Sequence, residues 1–94
     1  MQVSFASRVS VSPDILISEV GGESVLLNLK NERYFGLDDV GTQMWKALVA
    51  SDSIQAAYET LLAEYDIEAN RLRQDLDDLI QKLLEQGLVE IGSE

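Results

Sequence analysis

Asp75 and Asp78 are three residues apart in a stretch of helical periodicity, which puts them one turn apart on one face. Paired carboxylates are the groups from which an acid–base couple would have to be built here. The 94-residue chain has no histidine and no cysteine. That removes the commonest general base, the thiolate nucleophile, the usual transition-metal ligands and any disulfide. There is no GxxxxGK[ST] phosphate loop and no calcium loop of alternating oxygen ligands. No pattern arranges other groups around Asp75 and Asp78, and acids at this spacing are ordinary on a solvated helix face. The sequence reads as a binding protein rather than an enzyme, with no cofactor or metal.

What it binds is suggested by residues 33–48, RYFGLDDVGTQMWKAL, where a short aromatic strand runs through two aspartates into an amphipathic helix carrying the one tryptophan. Upstream, Ile15–Val20 and Ser24–Leu29 are rich in β-branched and aliphatic residues and are separated by Gly21-Gly22-Glu23, which is hairpin chemistry. Lys30–Arg33 is a second polar turn, with Asn31 suited to a left-handed conformation, and Tyr34–Leu37 returns as a third strand. Val9 and Val11 alternate with serines and are expected to lengthen the first strand.

Three helices follow. Asp38 or Asp39 is suited to cap the first, whose stripe is Val40, Met44, Ala47 and Leu48, with Trp45 alongside in the core. The second starts near Asp52-Ser53, with Gln55 three residues after Asp52 as in a capping box. It carries Ile54, Ala57, Tyr58, Leu61, Leu62 and Tyr65. The third carries Ala69, Leu72, Leu76, Leu79, Ile80, Leu83 and Leu84 and closes at Gly87. Leu88–Ile91 reads as a short closing strand or tail. The expected fold is α+β: a three-stranded antiparallel sheet followed by a three-helix bundle, winged helix-turn-helix-like.

A chain this short builds one core, so a single domain over residues 1–94 is expected. Its 46% hydrophobic and 26% charged residues are globular proportions. No apolar run approaches a membrane span, and the N-terminus lacks a signal-peptide core, so a cytoplasmic protein without a membrane partner is expected. The net charge of −10 is uneven, with −2 in residues 1–47 and −8 in residues 48–94. A winged helix is an alternative DNA-binding reading, favoured by Arg71 and Arg73 but opposed by Asp75, Asp77, Asp78 and Glu85 on the same helix. A purely structural dimerisation domain is another alternative.

An open three-stranded meander leaves two edge strands, and in chain order Tyr34–Leu37 is one of them. Gly36 in that strand either admits another backbone closely or marks a bulge. By alternation, Tyr34 and Gly36 share one sheet face and Phe35 and Leu37 the other, and one of the first pair is a candidate for a groove border.

Leu27-Asn28-Leu29, Arg33–Asp38, Gly41, Trp45, the break at Tyr65-Asp66-Ile67, Asp75-Leu76 and Gly87-Leu88-Val89 together resemble the coenzyme PQQ synthesis protein D (PqqD) family, from about Asp14 to Glu90. The resemblance implies a bacterial peptide chaperone in its discrete form. Such a protein binds the leader of a ribosomally synthesised, post-translationally modified precursor peptide as an antiparallel strand on its third strand. The partner would be a maturation enzyme such as a radical SAM protein or a leader peptidase, and the chaperone itself a monomer or homodimer. Mapped onto this chain, the implied site is Arg33, Tyr34, Phe35, Gly36 and Leu37 on the strand, and Arg71, Leu72, Asp75, Leu76 and Leu79 on the third helix. Asp75 and Lys82 flank the apolar stripe of that helix on one side and Arg73 and Asp77 on the other. The wheel leaves open which flank meets the strand.

Overall fold

Gly21 and Gly22 have φ of 61° and 87°, the pair of positive values that a type I′ turn needs, and they join β2 (Ile15–Val20) to β3 (Glu23–Asn28) with Val20 opposite Glu23. The computed structural model describes residues 3–92. A four-residue loop leads from β3 to β4 (Arg33–Leu37), and the three strands form an antiparallel sheet in the order β2-β3-β4. In this loop the left-handed residue is Glu32 (φ 60°), not Asn31. The Asn31 side chain instead accepts the Arg33 N–H at 3.0 Å, so its preference for local hydrogen bonding prevails over its tolerance of that conformation.

Val9 and Val11 do not lengthen β2. They belong to a separate strand, β1 (Arg8–Val11), which pairs antiparallel with β5 (Val89–Gly92) in a two-stranded sheet. Pro13 and a left-handed Asp14 (φ 67°) turn the chain between the two sheets, and the Ser12 N–H donates to Leu88 C=O at 3.0 Å. The closing segment is therefore a paired strand. Phe5 and Val9 are buried with the helices, so the core reaches upstream of Asp14.

Three helices join the sheets: α1 (Asp39–Ala50), α2 (Ile54–Glu64) and α3 (Ala69–Glu85). Asp38 caps α1, its Oδ1 accepting the Gly41 N–H at 2.7 Å. Ser53 rather than Asp52 caps α2, accepting from Ala56 N–H at 3.1 Å. Its hydroxyl is one residue nearer the first turn, where the unpaired amides lie. Glu68 caps α3, and Gly87 (φ 70°) follows its end. Trp45 and Leu48 are buried from α1, Ile54, Ala57 and Leu61 from α2, and Leu72, Leu76, Ile80 and Leu83 from α3. Val40, expected in the α1 stripe, is exposed; the buried face is centred on Gly41, Trp45 and Leu48, one step around the helix. The core face of the large sheet is Ser24, Leu26 and Leu37, and the Ser24 and Thr42 hydroxyls meet at 2.8 Å to fix β3 on α1.

Candidate functional site

Which backbone groups of β4 are free follows from the ladder. The Leu29 N–H donates to Asp14 C=O at 2.9 Å. Hydrogen-bonded positions alternate along an antiparallel pair. Leu16 with Leu27, Ser18 with Val25 and Val20 with Glu23 are thus the bonded pairs of β2 and β3, and the tight turn closes on the last of them. Asn28, Leu26 and Ser24 consequently turn their amides and carbonyls toward β4, where their partners are Arg33, Phe35 and Leu37. Tyr34 and Gly36 are left with N–H and C=O directed away from β3, along an edge that no described strand covers. The pairing runs unbroken through Gly36 opposite Val25, so this glycine marks no bulge, and a Cβ built on it meets nothing within 4 Å.

Beside that edge runs a groove. Phe35, Gly36 and Leu37 form its strand wall, Gly41 and Met44 of α1 its base, and Asp75, Asp78, Leu79 and Lys82 of α3 its far wall, with Asp38 at one end. Asp75 and Met44 also border an adjoining apolar depression between α1 and the α2–α3 connection, lined by Val40, Leu61, Tyr65, Ile67 and Leu72. The side of α3 facing β4 is thus the one with Asp75 and Lys82. On the opposite flank, the Arg73 guanidinium lies 4.1 Å from the centre of the Phe5 ring. Asp77, buried, accepts from Val3 N–H at 3.0 Å and from Gln81 Nε2 at 2.6 Å.

Five of the ten residues expected at the site line the groove: Phe35, Gly36, Leu37, Asp75 and Leu79. Tyr34 does not line this groove; it is 76% exposed, with its side chain on the outer sheet face and its peptide group on the free edge. Arg33 is exposed at the start of the strand. Leu72 lines the adjoining depression. Leu76 has no exposed surface and lines none of these hollows, because it points between the helices; its role is core packing. Arg71 is exposed and outside the groove, with its Nε 3.7 Å from Asp75 Oδ2. Asp38, Gly41, Met44, Asp78 and Lys82 were not expected there. Gly41 carried a legible signal, since a glycine three residues after a cap permits close packing: a Cβ there would sit 3.2 Å from Asp38 Oδ1 and 3.3 Å from Leu37 Cδ2.

The family model for coenzyme PQQ synthesis protein D (PqqD) matches residues 23–89, the span from the second strand of the large sheet to the first residue of β5. The chain belongs to the PqqD family. Two solved structures share the PqqD-family fold seen here. One, TbiB1 in complex with the TbiA(beta) leader peptide, is 30% identical, with a TM-score of 0.78 over 85% of this chain and 93% of that one. The other, a lasso peptide synthetase B1 complexed with the leader peptide, is 23% identical, with a TM-score of 0.78 over 88% and 98%. No curated protein matches this PqqD-family chain.

Proposed function

We propose that this protein is a peptide chaperone that takes up the leader of a ribosomally synthesised precursor peptide as an added antiparallel strand on β4 and presents it to a separate maturation enzyme. The carrying observation is the pair of outward-facing peptide groups at Tyr34 and Gly36 directly beside a groove with an apolar floor at Met44 and Leu79 and charged rims. TbiB1, 30% identical, has been solved with a leader peptide, which supports the same occupant here. Backbone pairing at Tyr34 and Gly36 sets register and direction, and every second side chain of the guest enters the groove against Met44 and Leu79. A leader is disordered when free, so those apolar side chains must offset the entropy of ordering it.

The binding site is Arg33, Tyr34, Phe35, Gly36 and Leu37 on the strand side. On the helix side it is Asp75 and Leu79, with Leu72 and Arg71 at its margin. In this reading the protein catalyses nothing: it holds the substrate in the cytoplasm, where precursors are synthesised, for a radical SAM enzyme or a leader peptidase. No helix is long and apolar enough to cross a membrane among the described residues. DNA binding gains no support, because Arg73 is stacked on Phe5 and Arg71 lies beside Asp75.

An amide-resolved NMR titration tests the proposal, using the TbiA(beta) leader peptide and the leader of each small open reading frame beside the gene. Large shifts at Tyr34 and Gly36 and along Asp75–Lys82 are expected with the matching leader. Saturable binding that leaves those amides unmoved refutes strand addition.

A further inference from the structure

The groove beside β4 is electrically polar along its length. Asp38 and Asp75 stand at the Leu37 end of the strand, and Asp39 continues the negative rim into the adjoining depression. Lys82, two turns further along α3, is at the other end, and between Asp75 and Lys82 on the same wall is Asp78, whose Oδ1 accepts from Gln74 Nε2 at 2.9 Å. There α3 finishes against Asn28, the cross-strand partner of Arg33: a Cβ on Gly87 would lie 3.7 Å from Asn28 Nδ2. The negative end and the positive end are thus separated by the length of β4. The carboxylates are not used up by the fold. Asp38 and Asp39 each engage Oδ1 with a backbone N–H at the start of α1. Asp75 is approached at Oδ2 by an exposed Arg71, at 3.7 Å.

We infer that this site selects the direction of its peptide by charge, taking a guest with basic residues before the paired stretch and an acidic residue after it. The inference rests on strand addition at β4. Antiparallel pairing places the N-terminal side of the guest opposite Leu37 and its C-terminal side opposite Arg33. Lysine or arginine preceding the stretch then meets Asp38, Asp39 and Asp75, and glutamate or aspartate following it meets Lys82 and Arg33. A guest docked in the parallel sense sets like charges against each other at both ends, which is discrimination by repulsion as well as attraction. Each pair is partly solvated and contributes little alone, so the pattern of several decides.

The test pans a displayed library of random peptides against the full chain and compares each enriched sequence, made synthetically, with a transposed version of the same composition. In the transposed peptide the charged flanks are exchanged around an unchanged apolar stretch. Enriched peptides are expected to be basic before the stretch and acidic after it, and to bind roughly fivefold or more tighter than their transposed forms at low salt. The exposed substitution Asp75→Lys is expected to narrow that ratio. Equal affinity of the two forms, with Tyr34 and Gly36 amides shifting in both, overturns charge selection and leaves strand addition standing. Enriched peptides that bind without moving those amides overturn both.

Discussion

Ser24 Oγ and Thr42 Oγ1 lie 2.8 Å apart, so the central strand of the large sheet is hydrogen-bonded to the first helix by two buried side chains. Either hydroxyl can donate, and Thr42 also lies 3.5 Å from Leu37 C=O at the end of β4. The pair thereby fixes how the strand with the free edge sits over α1. Thr42→Val removes one partner and leaves the Ser24 hydroxyl buried, with an expected loss of about 1–3 kcal/mol in urea unfolding. The double variant with Ser24→Ala should recover part of that loss. If it does not, the contact is not the source of the destabilisation.

Proline distinguishes the two sides of β4. The Gly36 N–H points away from β3, so Gly36→Pro should leave the far-ultraviolet spectrum and melting temperature near wild type while removing peptide binding. Phe35→Pro removes the N–H that pairs with Leu26 and should unfold the sheet edge. Equal damage to folding from both would contradict the alternation derived for this strand.

On α3, packing and recognition are separable by one residue step. Leu76 is enclosed, and Leu76→Ala should cost about 2–5 kcal/mol through transfer and cavity effects. Asp75 is on the groove rim with its side chain 45% exposed, and Asp75→Asn should change stability by no more than about 0.5 kcal/mol. Denaturant midpoints for the two variants, set beside their affinities for a bound leader, provide the check.

Gly41 is expected to resist enlargement. A Cβ there must displace Asp38 Oδ1 or the Leu37 side chain, and those two groups hold the helix cap and the groove wall. Gly41→Val should lower the melting temperature despite replacing a glycine within a helix. A rise would show that Leu37 gives way freely.

Local chemistry made much of this fold readable. Gly21-Gly22 could hardly be anything but a tight hairpin turn, and Asp38 before an amphipathic run is a helix start. The order β2-β3-β4, the exposed edge and the burial of Trp45 follow from such signals. The β1–β5 pair was not readable, because Val9 and Ile91 face one another across nearly the whole chain and four-residue strands carry little pattern of their own. The same limit applies to the site. Periodicity put Leu76 and Leu79 on one stripe, yet one is enclosed and the other lines the groove, a difference set by where β4 and α1 come to rest. Met44 and Gly41 were overlooked as groove residues because the base of the groove comes from a helix that sequence ties to the core.

The pairing of Arg8 with Gly92 brings the outer ends of the first and last strands side by side. Tension applied to the chain at these two points pulls the strands apart from that end, breaking the hydrogen bonds of the pair one after another rather than all together. The β1–β5 pair by itself therefore offers little resistance to a force applied at Arg8 and Gly92. Upstream of Arg8 the chain is anchored once more, the Ser7 and Phe5 carbonyls accepting the Ile54 and Gln55 N–H at 2.8 Å, so a pull from the N-terminal side loads the start of α2 before it reaches the β1–β5 pair, and β4 with its groove lies outside that line of force.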